Sequence, residues 1–304
     1  MPQTAIVPPE LAGPLDRAVR ALLGSTWGKA RAWIEAGKVS VAGTVVRETT
    51  SRVPAGAEIA VDERARKQRA AELSDEQVVH VDAQLIVVAK PAGVSTIPYD
   101  GSEEDTLDAR VRAWLERRRH VPRGGRPSLG IVHRLDKETS GLVVFTRTWL
   151  AKTALSGQFR QHSVHRRYVA IVHGHLVGRT ITSWLVENRG DGLRGSVRGT
   201  KPAHAREATT HVEALETLSG ATLVGCRLET GRTHQIRIHL SELGHPLVGE
   251  KVYVRRFPGP VIEAPRLMLH AAELGFVHPA TDREVRWELP LPADISRVLA
   301  ALKR

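Results

Sequence analysis

Cysteine is almost absent from the chain, which has 304 residues and one cysteine, Cys226, so no internal disulfide can form. Proteins of reducing compartments typically have no disulfides, and the count therefore predicts a reducing environment. Cys226 lies in the alternating sequence LVGCRLET. This pattern predicts a strand with a buried, unreactive thiol.

Long apolar stretches are also missing. No segment approaches the roughly 20 consecutive apolar residues that a membrane-spanning helix needs. The opening sequence MPQTAIVPPELAG has neither the basic start nor the apolar centre of a signal peptide. We therefore expect a cytoplasmic protein that does not contact a membrane.

Acidic residues are few compared with basic ones. The chain has 33 Asp and Glu against 44 Lys and Arg, a formal net charge of +11. Lys and Arg that neutralise phosphates release counterions and gain affinity, so the surplus favours a nucleic-acid partner. The alternative is a basic protein whose arginines reflect only the base composition of its gene.

Metal-ligand motifs are absent as well. Two histidine pairs, His162 with His165 and His173 with His175, raise the question of a metal site, and the second pair alternates as on one strand. No cysteine cluster or HExxH helix accompanies them. We expect no metal, and histidines that bond phosphates or backbone carbonyls instead.

Residues 1–75 form the first predicted domain, a small α/β-hairpin unit with an N-terminal tail and a charged linker at 63–77. Apolar spacing predicts a helix from Leu15, and a second from about 29 to 36 that ends at Gly37. Two short strand-like runs, KVSVAGTVV and AEIAV, follow. Basic residues are distributed along the unit, among them Lys29, Arg31, Lys38 and Arg47.

This first part resembles the small RNA-binding domain of ribosomal protein S-four, also called the alpha-L motif. The resemblance covers about residues 13–62, and IEAGKVSVAGTVV followed by VPAGAEIAV carries it. The family usually has Asn where Ala42 stands, and a more basic start to its second helix than STWGK. The resemblance implies that Lys29, Arg31 and Lys38 bind RNA.

Residues 76–304 form the second predicted domain. Short strands dominate it, with helices expected near 150–161, 233–243 and 294–302. The absence of regular strand–helix alternation predicts an α+β fold with a mixed, largely antiparallel sheet and flanking helices. A basic, Gly-rich segment at 117–128 either contacts phosphates or is disordered.

The most informative segment is GIVHRLDKETSG, residues 130–141, which places Asp136 in a short turn before the apolar run LVVF. A carboxylate in a turn that leads into a buried strand is a suitable place for a fixed nucleophile. The plainer interpretation is an ordinary turn, because Asp, Ser, Thr and Gly all favour turns.

Three further segments accompany this turn: AKPAGVST at 89–96, RRYVAIVHG at 166–174, and LETGRTHQIRIHLSELGHPLVGE at 228–250. Ile236, Leu240 and Leu243 form one apolar helix stripe in the last of them. Together with HRLDKETSG and the later LHAAELGFVHPATDRE, these segments closely resemble the RNA pseudouridine synthases of the RluA type. The resemblance covers roughly residues 78–290.

The resemblance implies an isomerase that detaches uracil from its ribose, turns it, and rejoins it through carbon 5. It implies no cofactor. Asp136 matches the family's nucleophile and Arg232 the arginine that pairs with it. Tyr168 matches the tyrosine that stacks on the target base, and is a candidate for removing the carbon-5 proton. Arg134 is expected to help extrude the base, and Lys137 to contact RNA.

The resemblance further implies an RNA partner, with large-subunit ribosomal RNA favoured over transfer RNA, and we expect a monomer. Two other functions compete with the isomerase. One is a non-catalytic, ribosome-associated RNA-binding protein. The other is a two-carboxylate glycoside hydrolase, which the absence of a second well-placed acid and the charge of +11 disfavour.

Overall fold

The computed structural model describes residues 2–46, 49, 51–63, 72–99, 103, 105–118, 128–197, 199–255 and 257–303. The chain divides into two compact units, Met1–Ala71 and Glu72–Arg304. The second unit begins before the predicted boundary at residue 75, because Leu73 is part of its core and Asp75 accepts a 2.8 Å hydrogen bond from Trp114 Nε1. Parts of the predicted linker and of the basic loop, 64–71 and 119–127, lie outside the described residues.

The first unit packs two helices on a small antiparallel sheet in the order β1-β6-β3-β4, beside a two-stranded β2-β5 pair. Its core contains Leu15, Val19, Ile34 and Ile59. Its elements are β1 Gln3–Ile6, β2 Gly13–Pro14, α1 Leu15–Leu22, α2 Trp27–Glu35, β3 Val39–Val41, β4 Thr44–Val45, β5 Arg52–Val53 and β6 Glu58–Val61.

Gly37 ends α2 as predicted. Its φ of +68° is in the left-handed region that glycine adopts without strain. The Gly37 amide donates to the Ile34 carbonyl, and the Lys38 amide to the Trp33 carbonyl, both at 2.9 Å. This is the hydrogen-bond pattern of a Schellman cap, and it turns the chain directly into β3.

One large mixed sheet forms the centre of the second unit, in the order β13-β12-β14-β15-β11-β16-β10-β8-β7, with β17 paired to β16 and β9 to β10. Its strands are β7 Val78–Val81, β8 Leu85–Lys90, β9 Gly130–Ile131, β10 Ser140–Thr146, β11 His165–His173, β12 Arg179–Val186, β13 Gly195–Ser196, β14 Arg206–Leu218, β15 Ala221–Leu228, β16 Leu269–Val277 and β17 Glu284–Glu288. The pairing of β10 with β16 is parallel, whereas the other pairs between these strands are antiparallel. The predicted α+β class with a mixed, largely antiparallel sheet is confirmed.

The strand that follows the Asp136 turn is buried on both faces. Val143 and Phe145 of β10 belong to the core on one side of the sheet, and Leu142 and Val144 to the core on the other. A strand covered on both faces has a continuous apolar sequence instead of an alternating one. The run LVVF therefore belongs to a fully buried strand, and Asp136 lies in the turn that leads into it.

Four helices cover the sheet: α3 Leu107–Arg117, α4 Trp149–Arg160, α5 Gln235–Glu242 and α6 Ala293–Leu302. Helices α4, α5 and α6 were predicted, whereas α3 was not, although Leu107, Val111 and Leu115 recur on its buried face. Cys226 is fully buried in β15, as predicted, and burial raises the pKa of its thiol to about 12. Among the described residues, no helix is long and apolar enough to span a membrane.

Candidate active site

Asp136 lies in the connection between β9 and β10. The Thr139 amide donates to the Asp136 carbonyl at 3.1 Å, which closes the predicted turn. The segment AKPAGVST packs against this turn, since the Thr96 hydroxyl donates to the Leu135 carbonyl at 2.9 Å and accepts from the Leu135 amide at 3.1 Å. Residues about forty positions apart in the sequence thus fix the backbone next to Asp136.

Lys90, at the end of β8, also holds this turn in place through hydrogen bonds. Its side chain is buried, and its ammonium group donates to the carbonyls of Val94 at 2.6 Å, Lys137 at 2.9 Å and Pro91 at 3.0 Å. Three donors meet three acceptors, so the group is fully satisfied. Burial lowers the pKa of Lys90 to about 7, against the opposing effect of Glu138 and Asp136.

The Asp136 carboxylate is 19% exposed and faces α5. Arg237 Nη1 lies 3.5 Å from Asp136 Oδ2. The other side of the guanidinium is bound by Glu250, with Nε donating to Oε2 at 2.7 Å and Nη2 to Oε1 at 2.9 Å. Although burial opposes it, these bonds hold the pKa of Glu250 below its ordinary value. The bidentate pair therefore fixes the position of the nitrogen that faces Asp136.

Arg232 is not the partner of Asp136, and the predicted pairing is wrong. Arg232 is exposed, its Nε donates to the Glu207 carbonyl at 2.9 Å, and among the described residues it forms no ion pair with Asp136. The physical reason is the start of α5, which begins at Gln235. Arg232 therefore stays in the preceding loop, while the first helical turn carries Arg237 toward the carboxylate.

His234 is a site residue that the sequence did not single out. It has φ +59°, and its Nδ1 lies 2.8 Å from the Tyr253 hydroxyl. Its Nε2 is 3.9 Å from Asp136 Oδ2. Burial lowers the pKa of His234, although Asp136 opposes this, so the neutral ring is favoured. A non-glycine residue at positive φ often marks a functional position, but this signal is visible only in the structure.

Tyr168 lies on β11 with its ring buried and faces the same cavity as Asp136. Burial raises the pKa of Tyr168 to about 12, even though Arg166 acts in the opposite direction. A phenol with this pKa is protonated at neutral pH. The resting cavity therefore has Tyr168 as an aromatic wall and a hydrogen-bond donor, which favours the stacking role over proton removal.

These groups meet in one cavity of about 480 Å³, within the range of small-molecule sites. Of the predicted residues, Asp136, Tyr168, Arg232 and Arg134 line this cavity. Among the described residues, its lining has a single carboxylate, that of Asp136, and five arginines: Arg134, Arg160, Arg166, Arg232 and Arg237. The cavity is therefore suited to an anionic ligand with a planar group placed against Tyr168.

Lys137 is not among the residues that line this cavity, although it follows Asp136 directly. Its side chain is exposed and forms a 3.2 Å ion pair with Glu103. In the first unit, Lys29 lies over the Trp33 ring at 4.6 Å, and Arg31 pairs with buried Asp16 at 3.0 Å. Lys38 donates to the Glu63 carbonyl at 2.7 Å.

The histidine pairs do not form a metal site in the described part of the chain, where no group of three or more His, Cys, Asp or Glu has suitable geometry. His173 is buried, and its ring nitrogens lie 2.9 Å from the Pro246 carbonyl and 3.0 Å from the Ile262 amide. His175 lies beyond the end of β11, so the expected alternation of both residues on one strand is wrong.

The second unit shares its fold with solved pseudouridylate synthases. Human RNA pseudouridylate synthase domain containing 4 matches it with a TM-score of 0.60 at 24% identity, over 75% of this chain and 93% of that chain. Human RNA pseudouridylate synthase domain containing 1 matches with a TM-score of 0.55 at 24% identity, over 76% of this chain and 97% of that chain.

The sequence comparisons define the family. Residues 84–242 match the RNA pseudouridylate synthase family and residues 13–59 match the S4 domain. Ribosomal large subunit pseudouridine synthase D of Nitrosomonas europaea is 36% identical over 98% of this chain and 87% of the relative. The protein of the same name from Pseudomonas aeruginosa is 36% identical over 99% of this chain and 96% of the relative. The chain belongs to the RNA pseudouridylate synthase family, and it is an isomerase that acts on uridine in RNA.

Proposed function

We propose that this isomerase converts uridine to pseudouridine in the RNA of the large ribosomal subunit, with Asp136 as its nucleophile. The names of the relatives from Nitrosomonas europaea and Pseudomonas aeruginosa support this class of RNA. The observation that carries the proposal is the placement of the Asp136 carboxylate. In the described part of the chain it is the only acid that lines the cavity, and its Oδ2 lies 3.5 Å from Arg237 Nη1.

The reaction rearranges bonds within one nucleotide. The bond between N1 of uracil and C1′ of ribose breaks, the base turns within the cavity, and a bond forms between C5 and C1′. C5 loses its proton, and N1 ends with one, so the product is an isomer of the substrate. Because there is no net oxidation or reduction, we expect no cofactor.

Five residues of the cavity have a defined part in this proposal. The Asp136 carboxylate forms a bond to C1′ as the bond between N1 and C1′ breaks, and it leaves C1′ when C5 bonds there. Arg237 holds the carboxylate in place, and Tyr168 stacks on the extruded base. Arg134 is exposed beside Asp136 and contacts the RNA at the position that the base has left. Arg232, which lines the cavity, contacts the RNA strand and does not pair with Asp136.

RNA binding also involves groups outside the cavity. The S4 domain match covers Lys29, Arg31 and Lys38, which we propose as its RNA contacts. Lys29 and Arg31 are each a little over half exposed, so both can reach a phosphate. Lys137 is a further proposed contact. We expect the protein to act as a monomer in the cytoplasm.

Tritium release tests the function directly. Large-subunit ribosomal RNA labelled with tritium at C5 of uridine is incubated with the wild-type protein and with Asp136→Ala, and we expect release from the wild type alone. Glu138→Gln is the matched control, because it removes an exposed carboxylate two residues further along the same loop. Release by Asp136→Ala would contradict the assignment of the nucleophile.

The RNA class is decided in the same assay. We expect release from large-subunit ribosomal RNA and none from labelled transfer RNA. Tight binding without release from either RNA would instead support a non-catalytic, ribosome-associated RNA-binding protein.

A further inference from the structure

Arg166 is a buried arginine without a counter-ion. It lies two residues before Tyr168 on β11, and both side chains are buried on the same side of the strand. Its Nη2 donates to the Glu229 carbonyl at 2.9 Å, while its Nε is buried with no hydrogen-bond partner. Across the described residues, Arg166 forms no ion pair.

The other buried arginines of the described chain have carboxylate partners. Arg110 pairs with Asp105, Arg237 with Glu250, and Arg266 with Asp294, each with an N–O distance of 2.7 Å or less. Burying a charge is costly unless it is paired and hydrogen-bonded. Arg166 is therefore the exception, and it lines the cavity that contains Asp136.

The surroundings of Arg166 hold its guanidinium at the cavity wall. The Cζ atom lies 5.5 Å from the centroid of the Phe159 ring. On another side, Gly231 passes so closely that a Cβ atom there would lie 2.7 Å from Nη1. A Cβ atom at position 231 would therefore require the end of the Arg166 side chain to move.

The other cationic groups of the cavity wall extend the same positive surface. Arg134, Arg160 and His162 are exposed, line the cavity, and have no carboxylate within 4 Å among the described residues. A planar guanidinium with free N–H groups matches a phosphate in both shape and charge. This arrangement of cationic groups is suited to binding an anion with several oxygen acceptors.

We propose that Arg166 binds a phosphate of the RNA strand at or next to the target uridine, with Arg160 and His162 at the entrance of this subsite. The inference rests on the proposed function, because the RNA substrate supplies the phosphate. The bound phosphate provides the counter-ion that the described residues do not supply, and accepts hydrogen bonds from the guanidinium. It thereby fixes the nucleotide beside Tyr168.

The experiment compares Arg166→Gln with Arg167→Gln, a matched control one residue away. Arg167 lies on the opposite side of β11, where it pairs with Glu273 at 3.2 Å and Glu213 at 3.3 Å. The probe is a synthetic hairpin of ribosomal RNA that carries the uridine modified in the tritium assay. Single neutral methylphosphonates replace the phosphates around that uridine, one per molecule, and binding and turnover are measured.

In the wild type, one methylphosphonate position weakens binding about tenfold, the scale of one charged hydrogen bond. Arg166→Gln binds the unmodified hairpin about tenfold less tightly than the wild type does. Its affinity does not fall further when the methylphosphonate is placed at that position. Arg167→Gln keeps the wild-type profile. If each methylphosphonate weakened binding to Arg166→Gln as much as it weakens binding to the wild type, the proposal would be overturned.

Two additional variants keep the test valid if Arg166→Gln folds poorly. Arg166→Lys retains the charge but loses the planar fork, and Gly231→Ala displaces the guanidinium without removing it. Both are expected to reduce the methylphosphonate effect. A normal effect in correctly folded samples of both would contradict the subsite.

A second measurement separates this proposal from the proposed function. The thermal midpoint is followed against inorganic phosphate at constant ionic strength, which requires no turnover. Phosphate stabilises the wild type and Arg167→Gln but not Arg166→Gln if the subsite exists. Phosphate protection without tritium release would overturn the proposed function alone. If tritium is released, but neither the methylphosphonate effect nor the stabilisation by inorganic phosphate depends on Arg166, the subsite alone is overturned.

Discussion

Asp136 is the residue at which three separate segments of the second unit meet. The turn that carries it is fixed by Thr96 and Lys90, and its carboxylate is approached by Arg237 from α5. Because Glu250 occupies two nitrogens of Arg237, the third has little freedom to move away from Asp136. The position of the carboxylate is thus determined before substrate binds.

The two candidate arginines are separated by comparing Arg237→Gln with Arg232→Gln. We expect Arg237→Gln to reduce kcat by about 100-fold, the scale for losing one preorganised charge-stabilising donor. Arg232→Gln retains kcat within about tenfold, since its side chain contacts the Glu207 carbonyl instead of the nucleophile. Tritium release under saturating RNA measures both. An inactive Arg232→Gln with an active Arg237→Gln would restore the pairing predicted from sequence.

The site could be predicted from the sequence as a set of segments, but not at the level of each contact. HRLDKETSG and RRYVAIVHG identify Asp136 and Tyr168, which the structure places in one cavity. The choice between Arg232 and Arg237 depends on the direction in which each side chain leaves the backbone, and the sequence pattern does not give this direction. The backbone between the two arginines includes the left-handed His234, which no sequence signal predicts.

Tyr168 tests whether the cavity binds the base by stacking. Tyr168→Ala is expected to weaken RNA binding about tenfold or more, because stacking on an aromatic ring contributes about 1–3 kcal/mol per base. Tyr168→Phe keeps the ring and is expected to bind as the wild type does. Binding is measured in the Asp136→Asn background, so that turnover does not interfere. Equal binding by the alanine and phenylalanine variants would contradict the stacking role.

At the scale of elements, β10 approaches β16 closely at the point where the Asp136 turn enters the sheet. Gly141 has φ +125°, and a Cβ there would lie 2.2 Å from the Ala271 carbonyl oxygen. This parallel contact therefore needs a glycine. The motif ends in TSG because the strand after the turn passes directly beside another backbone.

Gly141→Ala is expected to lower the free energy of unfolding by about 3 kcal/mol, the upper end for a strained backbone position. It should also reduce tritium release, because the turn that carries Asp136 must shift. Gly157→Ala is the control, since Gly157 lies in α4 and a Cβ atom there would have no neighbouring atom within 4 Å. That change is expected to stabilise the protein by up to about 1 kcal/mol. Similar urea midpoints for both variants would show that the strands can separate without cost.

Elements with strong patterns were predictable, and those with mixed patterns were not. The run LVVF predicts β10 because a strand buried on both faces has no polar side. Helix α3 was not predicted because a charged residue, Arg110, lies on its buried face among the apolar side chains. Arg110 is itself buried, paired with Asp105. A buried arginine hides the amphipathic pattern from which a helix is recognised.

At the scale of the whole molecule, the net charge of +11 is divided between two units with separate cores. The second unit contains the cavity and every group proposed to act on the target nucleotide. The first unit matches the S4 domain over residues 13–59 and has exposed basic residues. This division predicts that the two units affect different kinetic parameters. The second unit determines kcat through the chemistry, and the first unit lowers KM through its affinity for large RNA.

Removal of the first unit tests this division, and the structure determines where to cut. A truncation of residues 1–71 keeps Leu73 in the core and Asp75 with Trp114, whereas removal of 1–75 would delete both Leu73 and Asp75. We expect the shorter chain to retain kcat and to have a higher KM for ribosomal RNA. The slope of log binding constant against log salt should fall by about 0.7–0.9 for each phosphate that the first unit neutralises in the full-length protein.

The full-length double variant Lys29→Gln with Lys38→Gln is the matched control, since it removes two of the proposed contacts and leaves the Arg31 ion pair with Asp16 intact. It should reproduce part of the change in slope at unchanged kcat. An unchanged slope in the truncated protein would mean that the S4 domain does not contact phosphates, and that the affinity for RNA comes from the cavity and its surroundings alone. A loss of kcat with normal KM would instead place part of the chemistry under the control of the first unit.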